Sequence, residues 1–74
     1  MTGLPTKDQV AGRIRRMMEV KNLTVSQTAR ICELAQPTLE GYLRGLNMPG
    51  GEGIAKLAIG LSCSADWLLA GGDK

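Results

Sequence analysis

The tetrad Thr6-Lys7-Asp8-Gln9 recurs in kind eighteen residues later as Thr24-Val25-Ser26-Gln27. In each, a threonine hydroxyl stands three residues before a glutamine amide, the reciprocal pairing of a helix capping box. Two helix starts so close together cut the front of the chain into short helices. After Thr6, apolar residues at Val10, Ile14, Met17 and Met18 fall at i, i+4, i+7 and i+8, one face of an amphipathic helix. The spacing predicts a first helix from about Lys7 to about Lys21, ending near Asn22. Its other face carries Arg13, Arg16 and Glu19.

The second start predicts a helix from about Val25 to Cys32, with Val25, Thr28, Ala29 and Cys32 turned inward. Leu34 then lies in a tight turn. Pro37 is tolerated only in the first turn of a helix, so a third helix starts at Gln36 or Pro37. It buries Leu39, Tyr42 and Leu43 and stops at Gly45. Residues 46–51 read as a loop. A fourth helix carries Ile54, Leu57, Ala58 and Leu61 on one face, and Ser62-Cys63-Ser64 breaks it. Ser64 caps a last helix, Ala65 to Ala70. Gly71-Gly72 ends the ordered part, with Met1 to Leu4 and Asp73-Lys74 frayed. No strand alternation and no internal repeat is present. The expectation is an all-α, five-helix single domain over 1–74, its ordered core about 6–71.

Composition narrows the chemistry. Seventy-four residues make one small domain. A hydrophobic content of 43% excludes compositional disorder. The only aromatics are Tyr42 and Trp67, so the core is aliphatic. Histidine, the commonest general base and metal ligand, is absent. Cys32 and Cys63 form no C-x-x-C pair and read as free core thiols. With no useful carboxylate pair and no glycine-rich phosphate loop, no enzyme, metal or cofactor is expected. No apolar run approaches the ~20 residues of a membrane span. No signal-peptide pattern is visible, so a reducing cytoplasm is expected. The chain is net +2. Five basic and two acidic side chains between Lys7 and Lys21 make that stretch +3, and the remainder −1.

Thr24 to Gly45 carries the functional signal. Two short helices around a tight turn make a helix-turn-helix, with Ala29 where the helices cross and Leu39 and Tyr42 facing inward. Here the chain resembles the lambda-repressor/Cro-like (XRE-type) helix-turn-helix family. Leu23-Thr24 is similar to that family's approach to helix 2, and Arg44-Gly45 followed by Pro49 to its exit from helix 3. Leu57-Ala58, Leu61 and Ser64-x-Asp66-Trp67-Leu68-Leu69-x-Gly71 match its helices 4 and 5. The resemblance spans roughly Val10 to Gly71. Two positions depart from the pattern: Glu33 stands where the turn usually has glycine, and Val25 where a phosphate-contacting glutamine is frequent.

The resemblance implies that a recognition helix of about residues 36–44 enters the major groove of double-stranded DNA. By position, Ala35, Gln36, Pro37, Glu40 and Gly41 are the base-contacting candidates. Gln36 is the sharpest, because an amide bonds adenine N6 and N7 as a pair. Thr38, Arg44, Arg13 and Arg16 are the backbone-contacting candidates. The family's habit implies a homodimer on an inverted-repeat operator, with Trp67, Leu68 and Leu69 as its interface. The function so implied is sequence-specific DNA binding by a transcriptional repressor or regulator of phage, prophage or bacterial type. The same pattern also fits the head of a longer repressor. The alternative is a helix-turn-helix module for protein contact, antitoxin-like or anti-repressor, consistent with the sparse reading head.

Overall fold

A computed structural model describes residues 5–71. Residues 1–4 and 72–74, which include the ends expected to fray (Met1 to Leu4 and Asp73-Lys74), lie outside the described residues. Five helices follow one another: α1 (Lys7–Lys21), α2 (Val25–Ile31), α3 (Gln36–Leu43), α4 (Gly51–Leu61) and α5 (Ala65–Ala70). Among the described residues there is no strand.

Both capping boxes form. The Gln9 amide N–H donates to Thr6 Oγ1 and the Thr6 N–H to Gln9 Oε1, each at 3.1 Å. Thr24 and Gln27 repeat the exchange at 2.9 and 3.1 Å. Ser64 caps α5 by accepting from the Trp67 N–H at 2.9 Å. α3 has no side-chain cap, and Pro37 in its first turn removes one of the N–H groups that would need one.

Helices α1 to α4 terminate alike. A residue in the left-handed region (Asn22, Glu33, Gly45 and Ser62 in turn, φ 56–72°) reverses the chain. The next N–H then donates back into the last turn. Leu23 bonds the Met18 carbonyl, Leu34 that of Ala29, Leu46 that of Gly41 and Cys63 that of Ala58, at 2.9–3.0 Å. This is the Schellman arrangement, which satisfies carbonyls a helix end leaves free. Only one of the four positions holds glycine. Glu33, at φ 56°, carries the strain of a side chain in that region, of the order of 1 kcal/mol. Its carbonyl accepts from Lys56 Nζ at 3.2 Å, which ties the turn to α4.

The core is aliphatic, as composition required. Val10, Ile14 and Met18 of α1, Ala29 and Cys32, Leu39 and Leu43 of α3, Ile54, Leu57 and Leu61 of α4, and Leu68 of α5 form one cluster. Thr28 is the only buried polar side chain among the described residues, and its hydroxyl donates to the Thr24 carbonyl at 2.8 Å. α1 packs on α3, α4 and α5, and α2 bridges α3 and α4. Three expectations need adjustment. Met17, Val25 and Tyr42 are half-buried, packed against the core from its edge. α2 ends at Ile31 with Cys32 as its cap, and α4 starts at Gly51, inside the expected loop.

Glycine permits the closest helix contact. A methyl group at Gly60 would lie 2.9 Å from Cys32 Cα and 3.0 Å from the Ile31 carbonyl, so α2 and α4 meet backbone to backbone there. The two thiols are free, Cys32 buried and Cys63 half-buried. Burial, and then the neighbouring Cys63, push the Cys32 thiol above the ordinary 9.0. Burial also raises Cys63, against a smaller lowering by Lys21.

Candidate nucleic-acid interface

α2, the turn at Glu33 and α3 form the helix-turn-helix. Leu39 and Leu43 anchor α3 to the core, which turns the opposite face outward. Ala35, Gln36, Pro37, Thr38, Glu40 and Arg44 are all exposed. Gln36 and Glu40, one turn apart, are joined: Gln36 Nε2 donates to Glu40 Oε2 at 3.3 Å. The amide most suited to reading adenine is thus held by an acid on the same face.

Gly41, expected among the base-contacting residues, does not reach the surface. It is buried beneath the loop that follows α3, and a Cβ there would lie 2.7 Å from Asn47 Nδ2. The Asn47 N–H also bonds the Gly41 carbonyl, at 3.4 Å. Gly41 is therefore a packing glycine that lets the loop return over α3. Thr38 faces a cleft of about 250 Å³ between α3 and α4, shared with Leu34, Tyr42, Gly53 and Lys56.

The arginines of α1 divide by direction. Arg13 turns to α5, where its Nη1 donates to the Leu68 carbonyl at 3.0 Å and the Leu69 carbonyl at 2.9 Å. It closes the last turn of α5 and rests against Gly71. That corrects its expectation as a backbone contact, because the guanidinium is turned toward α5 and its Nη1 is spent on the two carbonyls there. Arg16 is exposed, with no hydrogen bond or ion pair among the described residues. Arg15, not among the candidates named from the sequence, donates from Nη2 to the Leu43 carbonyl at the end of α3. It borders a cleft of about 450 Å³ with Glu40 and Arg44, floored by Met18, Val25 and Leu43. The available signal was helical spacing: Arg15 lies three residues before the core residue Met18, on the side of α1 that meets α3.

The expected pairing surface is also altered. Leu68 is fully buried and belongs to the core, so it presents nothing to a partner. Trp67 and Leu69 are half-buried beside it. Among the described residues no group of His, Cys, Asp and Glu could hold a metal ion. None of their helices is long and apolar enough to cross a membrane.

These five helices, with this turn between the second and third, define the lambda-repressor-like helix-turn-helix fold, and solved structures agree. The P22 c2 repressor, solved in complex with a synthetic operator, superposes with a TM-score of 0.79 at 24% identity, covering 85% of this chain and 96% of that one. The restriction-modification controller protein C.AhdI from Aeromonas hydrophila gives 0.79 at 24% identity, over 84% and 94%. An HTH_3 family transcriptional regulator from Vibrio cholerae gives 0.79 at 24%, over 84% of this chain. The present chain spans 35% of that regulator's length. No protein-family model and no curated protein matches the sequence.

Proposed function

We propose that this chain is a sequence-specific double-stranded DNA-binding domain acting as a transcriptional regulator of phage, prophage or bacterial type in the cytoplasm. The observation that carries this reading is the outer face of α3. A helix pinned to the core by Leu39 and Leu43 presents Ala35, Gln36, Pro37, Glu40 and Arg44 to solvent, within a fold shared with a repressor solved on its operator. α3 enters the major groove, and Gln36 bonds a base edge after releasing Glu40. Arg44 and Arg15, lining one cleft, and Arg16 hold the phosphate backbone, with Thr38 at the start of α3. Two copies on an inverted repeat double the few base contacts one head makes, and occupancy of the operator excludes or recruits polymerase.

Selection from a randomised duplex pool at near-physiological salt tests this. Enrichment of an inverted repeat with half-sites about one helical turn apart is the expected result. Replacing Gln36 then relaxes one base position, whereas replacing Arg44 weakens all sequences alike. A pool that emerges unenriched sinks the reading. The Gln36–Glu40 bond supports a second reading, a helix-turn-helix face used for protein contact, because it occupies the best base reader with an acid that repels phosphate. Salt-insensitive, weak DNA binding is what that reading requires.

A further inference from the structure

Gln36, Glu40 and Arg44 follow one another at four-residue steps along the exposed side of α3 and its cap, an amide, a carboxylate and a guanidinium in a row. The carboxylate repels phosphate, yet it stands between the side chain suited to reading a base and the one suited to holding the backbone. Its partner in the free protein is Gln36 Nε2, at 3.3 Å. Among the described residues it makes no ion pair, although Arg15 and Arg44 border the same cleft.

Base reading by Gln36 takes that one partner away. The released carboxylate then faces the major groove, where a charge that has lost water and finds no donor is costly. An ionised carboxylate only accepts hydrogen bonds. The donors on the groove floor are the exocyclic amines of cytosine (N4) and adenine (N6), whereas guanine O6 and N7 and thymine O4 are acceptors that repel it. Adenine sets its N7 acceptor beside the amine, against the second carboxylate oxygen; cytosine has no acceptor of its own there. Four residues of α3 advance about 6 Å and one base pair about 3.4 Å, so the base under Glu40 lies one or two pairs from the base under Gln36. We propose, resting on the DNA-binding reading above, that Glu40 is a specificity-determining residue: it selects a cytosine one or two base pairs from the adenine that Gln36 bonds, and rejects guanine and thymine at that place. As Gln36 exchanges Glu40 for adenine, Glu40 exchanges Gln36 for cytosine, and no charge is left unpaired.

The randomised-pool selection, run in parallel on the full wild-type chain and on Glu40→Ala, tests it. The wild type enriches cytosine at a fixed offset of one or two pairs from adenine. Glu40→Ala keeps the adenine and loses the cytosine, and it melts with the wild type because Glu40 is exposed. On the selected duplex, putting 2-pyrimidinone, which lacks the 4-amino group, in place of that cytosine weakens the wild type about fivefold or more. The same replacement leaves Glu40→Ala unchanged. A wild-type half-site with the adenine but no preference at that offset overturns the proposal alone, and means that Glu40 turns to Arg44 or Arg15 when Gln36 leaves. Glu40→Ala tightening every sequence alike, with the consensus intact, also overturns it and reduces Glu40 to phosphate repulsion. A pool enriched by neither chain removes the DNA-binding reading, and the proposal with it.

Discussion

Arg13, Arg15 and Arg16 lie within about one turn of α1, yet each meets a different environment, and the difference can be measured. Arg13 supplies two charge-assisted hydrogen bonds to α5 carbonyls. Replacing it with alanine should lower stability by about 2 kcal/mol, since each carbonyl loses a charged donor. Its effect on the salt dependence of DNA affinity should be negligible. Arg16→Ala should do the reverse: an unchanged urea midpoint, and a slope of log K against log salt shallower by about 0.9. Finding the two effects exchanged would show that the hydrogen bonds to α5 do not persist in solution. The thiols add a pH dependence. A group that holds its proton more tightly folded than unfolded contributes stability that is fully present below its unfolded pKa and lost as pH rises through the folded value. Cys32 and Cys63 are both raised above 9.0, so their contribution is constant through neutral pH and declines above that value. Urea midpoints across the alkaline range should fall less steeply in Cys63→Ser than in the wild type.

At the scale of the helices, two glycines in helix interiors answer opposite demands. Nothing lies within 4 Å of where a Cβ would stand at Gly12, on the exposed side of α1. Gly12→Ala should therefore stabilise the domain by about 1 kcal/mol, through helix propensity and a less flexible unfolded chain. For a domain of this size that raises the melting temperature by about 4–8 °C. Gly60→Ala places its methyl against Cys32 and the Ile31 carbonyl, and should cost about 1–3 kcal/mol despite the same gain in propensity. Thermal melts of the pair read both signs, and a stabilised Gly60→Ala would mean that α2 and α4 are not in backbone contact. The contrast also marks what the sequence reveals. Helix starts at Thr6, Thr24 and Ser64 were legible because a cap is made between residues three apart. The burial of Leu39, Leu57 and Leu61 followed from periodicity. The commitment of Arg13 to α5 was not legible, because its acceptors lie 55 and 56 positions away. Nor was the burial of Gly41, which depends on where the loop at Asn47 returns. Leu68 was misassigned as a pairing residue because α5 is too short for periodicity to tell its faces apart.

Over the whole molecule, the distribution of charge separates the DNA-binding reading from the protein-contact reading. The net +2 hides a +3 first helix against a −1 remainder, and that helix packs on α3, where Arg15 reaches the Leu43 carbonyl. Arg13 is subtracted because α5 uses it. On the proposed reading Arg15, Arg16 and Arg44 are the phosphate anchors, each releasing about 0.9 counterion on contact. One copy on a half-site should then show a slope of log K against log salt near −3, and a pair on an inverted repeat a slope of roughly −5. Arg15 is the informative member. If it only secured the end of α3 through the Leu43 carbonyl, Arg15→Lys would shift the melting temperature and leave the slope alone. If it also meets phosphate beside Arg44, removing Arg44 should reduce the slope by about 0.9, and Arg15→Ala should do so again in the Arg44→Ala background. Titrations of each variant at several salt concentrations, on the selected operator and on an unrelated duplex, provide the comparison. Slopes near zero on both duplexes would leave the basic face of α1 without a nucleic-acid role and favour a protein partner on α3.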